Sequence, residues 1–139
     1  MAGVGGRRLA VVLAATALVL TGCGRGGDQR AASVVTERFL SAVEAKDGAQ
    51  ACAELSDDTV KALESQMAKP CAQAVVDVEV KPSAVARAQV FITNAKVDLA
   101  DGESAFLDRT PAGWRLSAVG CKPQGAKPAD RPYDCELED

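Results

Sequence analysis

Residues 85–118 read VARAQVFITNAKVDLADGESAFLDRTPAGWRLSA, and the fold turns on how this stretch is parsed. Apolar and polar residues alternate with a period of two, the signature of half-buried strands. Val85 to Ile92 predicts a first strand, with Thr93-Asn94 as its turn. Ala95 to Ala100 alternates apolar residues with Lys96 and Asp98. Asp101-Gly102 is a hairpin signal, because both residues tolerate positive φ. Glu103 to Arg109 predicts a third strand, and Pro111 lies in the turn that follows. On a fourth strand, Trp114, Leu116 and Ala118 face one way, while Arg115 and Ser117 face the other. Four strands joined by short turns predict an antiparallel meander.

Upstream, the period changes to that of a helix. Ala32, Val35, Phe39, Ala42 and Val43 make an amphipathic stripe ending near Lys46. Asp47 is placed to cap a short second helix carrying Cys52 and Leu55. Ser56 is placed to cap a third, where Asp57 and Asp58 favour the positive end of the dipole. Val60, Leu63 and Met67 line one face of that helix, and Pro70 stops it. Residues 71–80 read as a helical turn passing into extended chain. The expectation is an α+β domain, with N-terminal helices packed on a curved antiparallel meander of about four strands. A chain of 139 residues supports one such domain.

The N-terminus carries an address. Arg7 and Arg8 precede an uncharged run from Leu9 to Leu20. Twelve residues are too few to span a bilayer, which needs about 20, so the run reads as a signal h-region. Leu20-Thr21-Gly22-Cys23 follows and resembles the lipobox of bacterial lipoproteins. That resemblance implies thioether lipidation of Cys23 and cleavage before it. Residues 1–22 are then a lipoprotein signal peptide. Residues 23–30 are the lipidated Cys and a flexible tether of roughly 15 Å, and 31–139 are the domain. The Arg pair leaves Sec and twin-arginine export both open. Without the leader, 14 basic residues face 19 acidic ones, a formal charge of −5. An acidic body is repelled by nucleic acid and by anionic membranes. Attachment must therefore come from lipid, on the outer face of the cell membrane.

With Cys23 given to lipid, Cys52, Cys71, Cys121 and Cys135 remain. Four cysteines in an exported chain imply two disulfides with three possible connectivities. The local pairs Cys52–Cys71 and Cys121–Cys135 are favoured, since each closes a short segment. Their spacings do not make a metal-binding C-x-x-C pair. The chain has no His, which excludes Ser–His, Cys–His and His-ligated zinc chemistry.

Ala51-Cys52-Ala53-Glu54-Leu55, Leu63, Cys71-Ala72, Phe106-Leu107, Gly113-Trp114-Arg115, Gly120-Cys121-Lys122-Pro123 and Pro132-Tyr133-Asp134-Cys135 resemble small actinobacterial lipoproteins. These are similar to the nuclear-transport-factor-two-like superfamily of cone-shaped α+β folds. The resemblance covers residues 33–136. It implies a sheet wrapped around helices with a cavity at the open end, where enzymes of the fold place an Asp, His or Tyr.

Candidates for such a role are few. Asp98 and Asp108 are strand carboxylates, and a desolvated Asp can act as a base. Asp98 lies on the polar register and Asp108 ends its strand, so both read as solvated charges. Trp114 reads as core, not as a stacking platform, and Arg115 as surface charge. Pro132 to Leu137 is expected to dock on the domain as an extended segment, an added edge strand being one form of it, with Tyr133 packing and its hydroxyl at the surface. No catalytic residue, cofactor or metal site is assigned. The expected function is a non-catalytic envelope lipoprotein binding a protein partner or small ligand, with no nucleic acid. The alternatives are an accessory subunit of a membrane complex, or a small cyclase- or isomerase-type enzyme using Asp98 or Asp108.

Overall fold

The computed structural model describes residues 24–125 and 132–139. The leader, Cys23 and residues 126–131 lie outside the described residues. Four α-helices come first: α1 (Arg25–Glu44), α2 (Gly48–Glu54), α3 (Asp57–Met67) and α4 (Cys71–Ala74). A 3₁₀ turn, Val75–Asp77, leads into extended chain. Six antiparallel strands follow: β1 (Val85–Phe91), β2 (Asn94–Leu99), β3 (Ser104–Thr110), β4 (Gly113–Pro123), β5 (Tyr133–Asp134) and β6 (Leu137–Glu138). The architecture is α+β, as the two periodicities imply.

The caps form as the sequence dictates. Asp47 Oδ1 accepts from the Gln50 N–H at 3.1 Å, and Ser56 Oγ from the Thr59 N–H at 3.1 Å. Each satisfies a donor that the first helical turn leaves unpaired. Helix α3 ends at Ala68, which is left-handed with φ 52°, two residues before Pro70. The apolar stripe of α1 is buried throughout, from Ala32 to Val43, and meets Ala95, Val97 and Leu99 of β2, Leu107 of β3 and Leu116 of β4 in one core. Glu54 is buried among these helices. It is held by Arg38 through Nε at 3.0 Å and Nη2 at 3.1 Å, and by Gln50 Nε2 at 2.8 Å. A two-pronged guanidinium contact of this kind fixes the register of α2 on α1. Gly48, the first residue of α2, lies so close to α4 that a Cβ there would sit 1.8 Å from the Ala72 carbonyl oxygen.

Three features depart from the sequence-based expectation: the strand count, the tether, and the β1–β2 turn, which lies at Ile92-Thr93 instead of Thr93-Asn94 because Phe91 pairs with Asn94. The sheet has six strands, not four, because the C-terminal tail adds two short ones. Tyr133 and Asp134 pair with Pro123 and Lys122, and Leu137 and Glu138 pair with Val119 and Ala118. The tail thus lies antiparallel along the free edge of β4, stapled there by the Cys121–Cys135 disulfide. Gly120, at φ 68°, lets it cross: a Cβ at that position would meet Glu136 Cγ at 2.9 Å. A disulfide and a buried Leu137 hold this edge where its few backbone bonds alone would not.

The second departure is the tether. Helix α1 begins at Arg25, so residues 25–30 are helical where a flexible chain was expected. Composition misleads here because the ordering force is distant in sequence. Asp28 pairs with Arg109 of β3 and accepts from Trp114 Nε1 of β4 at 3.4 Å. The Arg109 guanidinium lies 4.6 Å above the Trp114 ring, a cation–π contact that completes the latch.

Candidate functional site

The Cys52–Cys71 disulfide and the Ser56 cap border one cleft. Cys52 and Cys71 are bonded, so the end of α2 is tied to the start of α4. Immediately after α2, Leu55 bridges Leu116, and the Ser56 N–H donates to the Leu116 carbonyl at 2.8 Å. Thr59 Oγ1 reaches the Leu116 and Ser117 carbonyls at 3.3 and 3.2 Å. These bonds fix the start of α3 against β4. A cleft of about 600 Å³ opens between this helix end and the β3–β4 turn, a size that suits a small ligand.

Its chemistry is lopsided. Asp57, Asp58, Asp108 and Asp139 contribute four carboxylates, and Arg115 a single guanidinium. Asp108 and Arg115 are cross-strand neighbours in the β3–β4 register. Asn94 donates its side-chain amide to Asp108, while Arg115 Nη1 donates to the Trp114 carbonyl at 2.9 Å. Asp57, Asp58 and Asp139 are exposed, and Asp108 and Arg115 half-buried. Open carboxylates of this kind suit attraction of a cationic or hydroxyl-rich ligand. Base catalysis asks for a desolvated carboxylate.

The other candidate carboxylate lies elsewhere. Asp98 shares a sheet face with Asp108 but sits at the far end of β2. Asp98 pairs with Ser104 and Asn94 with Asp108, so the two are roughly 14 Å apart along the strand. Lys96 Nζ approaches Asp98 at 2.9 Å, Ser104 Oγ donates at 3.1 Å, and Arg87 Nε stands at 3.5 Å. The Lys96 contact above all holds the Asp98 carboxyl below its usual value, with Ser104 and Arg87 acting the same way against partial burial. The same bond raises the Lys96 ammonium, with Tyr133 adding to it. Asp98 is therefore a charge-paired anion, a poor proton acceptor near neutral pH.

Trp114 is core, with 4% of its surface exposed. Its ring supports the α1 latch and is closed to a stacking ligand. Asp28 is held below the usual carboxylate range, chiefly by its bond to Arg109. Tyr133 packs edge-on against Phe106 with centroids 4.9 Å apart, and Lys96 Nζ lies 5.3 Å from its ring centre. Among the described residues, no group of three or more Cys, Asp or Glu side chains is arranged to hold a metal ion. Nor is any helix among them long and apolar enough to cross a membrane.

Sequence reasoning singled out Asp108 and Arg115 but treated them separately. It takes Asp57 and Asp58 only as dipole-compensating residues. Their meeting depends on the β4 edge receiving both α3 and the tail, a long-range fact with no local signal. No protein family, no curated protein and no solved structure matches this chain.

Proposed function

We propose that this chain is an exported lipoprotein, held on the outer face of the cell membrane through lipid on Cys23. On this reading it acts without catalysis, binding a protein partner or a small ligand at the acidic cleft. The observation that carries the binding role is the cleft itself: four carboxylates and Arg115 gathered around a space of about 600 Å³. The two disulfides support an oxidising compartment, and the lipobox at 20–23 supports the anchor. The order of helices followed by an antiparallel sheet supports kinship with the nuclear-transport-factor-two-like superfamily. Ion pairing of Asp98 weighs against its use as a base.

Cross-linking the lipidated protein in its native membrane, followed by affinity capture and mass spectrometry, tests the binding role. The expected result is a partner or ligand recovered with the parent and lost from Asp57→Asn/Asp58→Asn. Identical recovery from both proteins contradicts binding at the cleft.

A further inference from the structure

We propose that the β1–β2 hairpin tip, Phe91 and Ile92, is a membrane-contact element that orients the domain on the lipid surface. The proposal takes Cys23 as the lipidated residue and adds a second, non-covalent point of contact.

Exposure comes first. Ile92 is 91% exposed and Phe91 56%. Water is an unfavourable surrounding for both, and in a soluble hairpin such positions are ordinarily polar. The uncharged run is longer than the tip: from Ala88 to Ala95 there is no charged side chain, between Arg87 and Lys96. In a domain with a net charge of −5 once the leader is removed, the hairpin tip itself is an uncharged segment, and the Asp28 carboxylate beside it is paired with Arg109.

Backbone conformation makes the choice of residue costly. The sequence places the turn at Thr93-Asn94, but the register Phe91↔Asn94 moves it to Ile92-Thr93. Ile92 takes φ 49°, the position where a two-residue hairpin turn ordinarily uses glycine. A β-branched residue at positive φ is an outlier for its type, and strain of this kind collects at functional sites. Glycine or asparagine would be the relaxed occupant, and isoleucine is what the chain carries.

Position ties the tip to the anchor. Phe91, Ile92 and Val90 share a surface hollow with Asp28. Asp28 is in the first turn of α1 and is latched to Arg109 and Trp114. Cys23 precedes it by five residues in sequence, and the helix begins two residues after Cys23, at Arg25. The helix starting at Arg25 removes the slack a tether would give. An acyl chain on Cys23 therefore holds the α1 end of the domain at the surface, and the Phe91–Ile92 tip is at that same end. The β2–β3 turn at Ala100 is at the other end of β2, roughly 20 Å away.

The test uses the full lipidated protein, reconstituted into vesicles of phosphatidylglycerol and brominated-acyl phosphatidylcholine. Tryptophan fluorescence is read for Ile92→Trp and for Ala100→Trp, with the parent's single Trp114 as baseline. Phe91→Trp is a second reporter should Ile92→Trp fold poorly. The added signal at 91 or 92 is expected to be quenched at least threefold more than that at 100. Equal quenching at both ends overturns the proposal, as does a tip shielded from acrylamide but not quenched by lipid, which means protein covers it. Detergent-phase partition of the same preparations separates the two readings. An anchored protein with an unquenched tip refutes the contact and leaves Cys23 standing. A Cys23→Ser protein that stays on vesicles with a quenched tip refutes the anchor and leaves the contact standing.

Discussion

Replacing Gly48 with alanine sets two effects of opposite sign against each other. Alanine is the better helix former by about 1 kcal/mol in a helix interior, so by propensity alone Gly48→Ala stabilises α2. Packing says otherwise. The new Cβ would sit 1.8 Å from the Ala72 carbonyl oxygen and 2.7 Å from its carbon, where carbon atoms settle at about 3.5–4.0 Å. The obstacle is backbone, which cannot rotate away. Separating the helices is no remedy, because Cys52 of α2 is bonded to Cys71 of α4, adjacent to Ala72. Overpacking costs roughly 1–3 kcal/mol, and a backbone clash across a disulfide belongs at the upper end. Subtracting the propensity gain leaves a net loss of about 2 kcal/mol. For a domain of this size that lowers the melting temperature by roughly 6–12 °C. Gly26→Ala and Gly27→Ala are the controls, since a Cβ at either position of α1 meets nothing within 4 Å. These should melt at or slightly above the parent. Circular-dichroism melting of the oxidised proteins measures all three. A Gly48→Ala protein as stable as the parent would refute the close approach of α2 to α4.

Four further outcomes are expected. Replacing the Cys52–Cys71 pair with alanines should cost about 3 kcal/mol by loop entropy for a separation of 19 residues, read from the urea midpoint. The Cys121–Cys135 pair should behave similarly and also free the tail, exposing amides 133–138 to hydrogen exchange. The Asp98 carboxyl is lowered in the folded state, so its contribution is complete above the ordinary Asp value near 4. That contribution is lost as pH falls through the folded value; Asp98→Asn should therefore flatten the acid limb of the stability profile, and the alkaline limb as well, because the Lys96 ammonium loses the partner that raises it. Ile92→Gly should raise stability by about 0.5–1 kcal/mol, the relief of a left-handed isoleucine less the entropy of glycine, and a lower melting temperature would contradict strain at the tip.

Local rules made much of this fold legible. The Asp47 and Ser56 caps, the α1 stripe and the period-two run after Pro82 each depend on neighbours within a few residues, and each appears in the structure. The favoured disulfides close short loops for the same reason. What escaped depends on distant partners. Nothing near Asp28 signals that Arg109 and Trp114 will order a glycine-rich stretch into helix. The turn slipped by one residue because cross-strand pairing, not the turn propensity of Asn94, decides the register. The extra strands require the tail to return to β4, which the spacing of Cys121 and Cys135 hinted at but could not specify as paired backbone. The cleft shared that fate, since Asp108 and Asp139 meet only after the edge of the sheet is assembled.

The central claim is the anchor at Cys23, and detergent-phase partition of the parent and of Cys23→Ser, each expressed with its leader, tests it most directly. The thiol is the lipid acceptor in this account, and the acidic domain has no other strong hold on a membrane. The parent is expected in the detergent phase with a mass increment of a diacylglyceryl group on Cys23, and Cys23→Ser in the aqueous phase. A Cys23→Ser protein that still enters the detergent phase, or a parent that stays in water, contradicts the account.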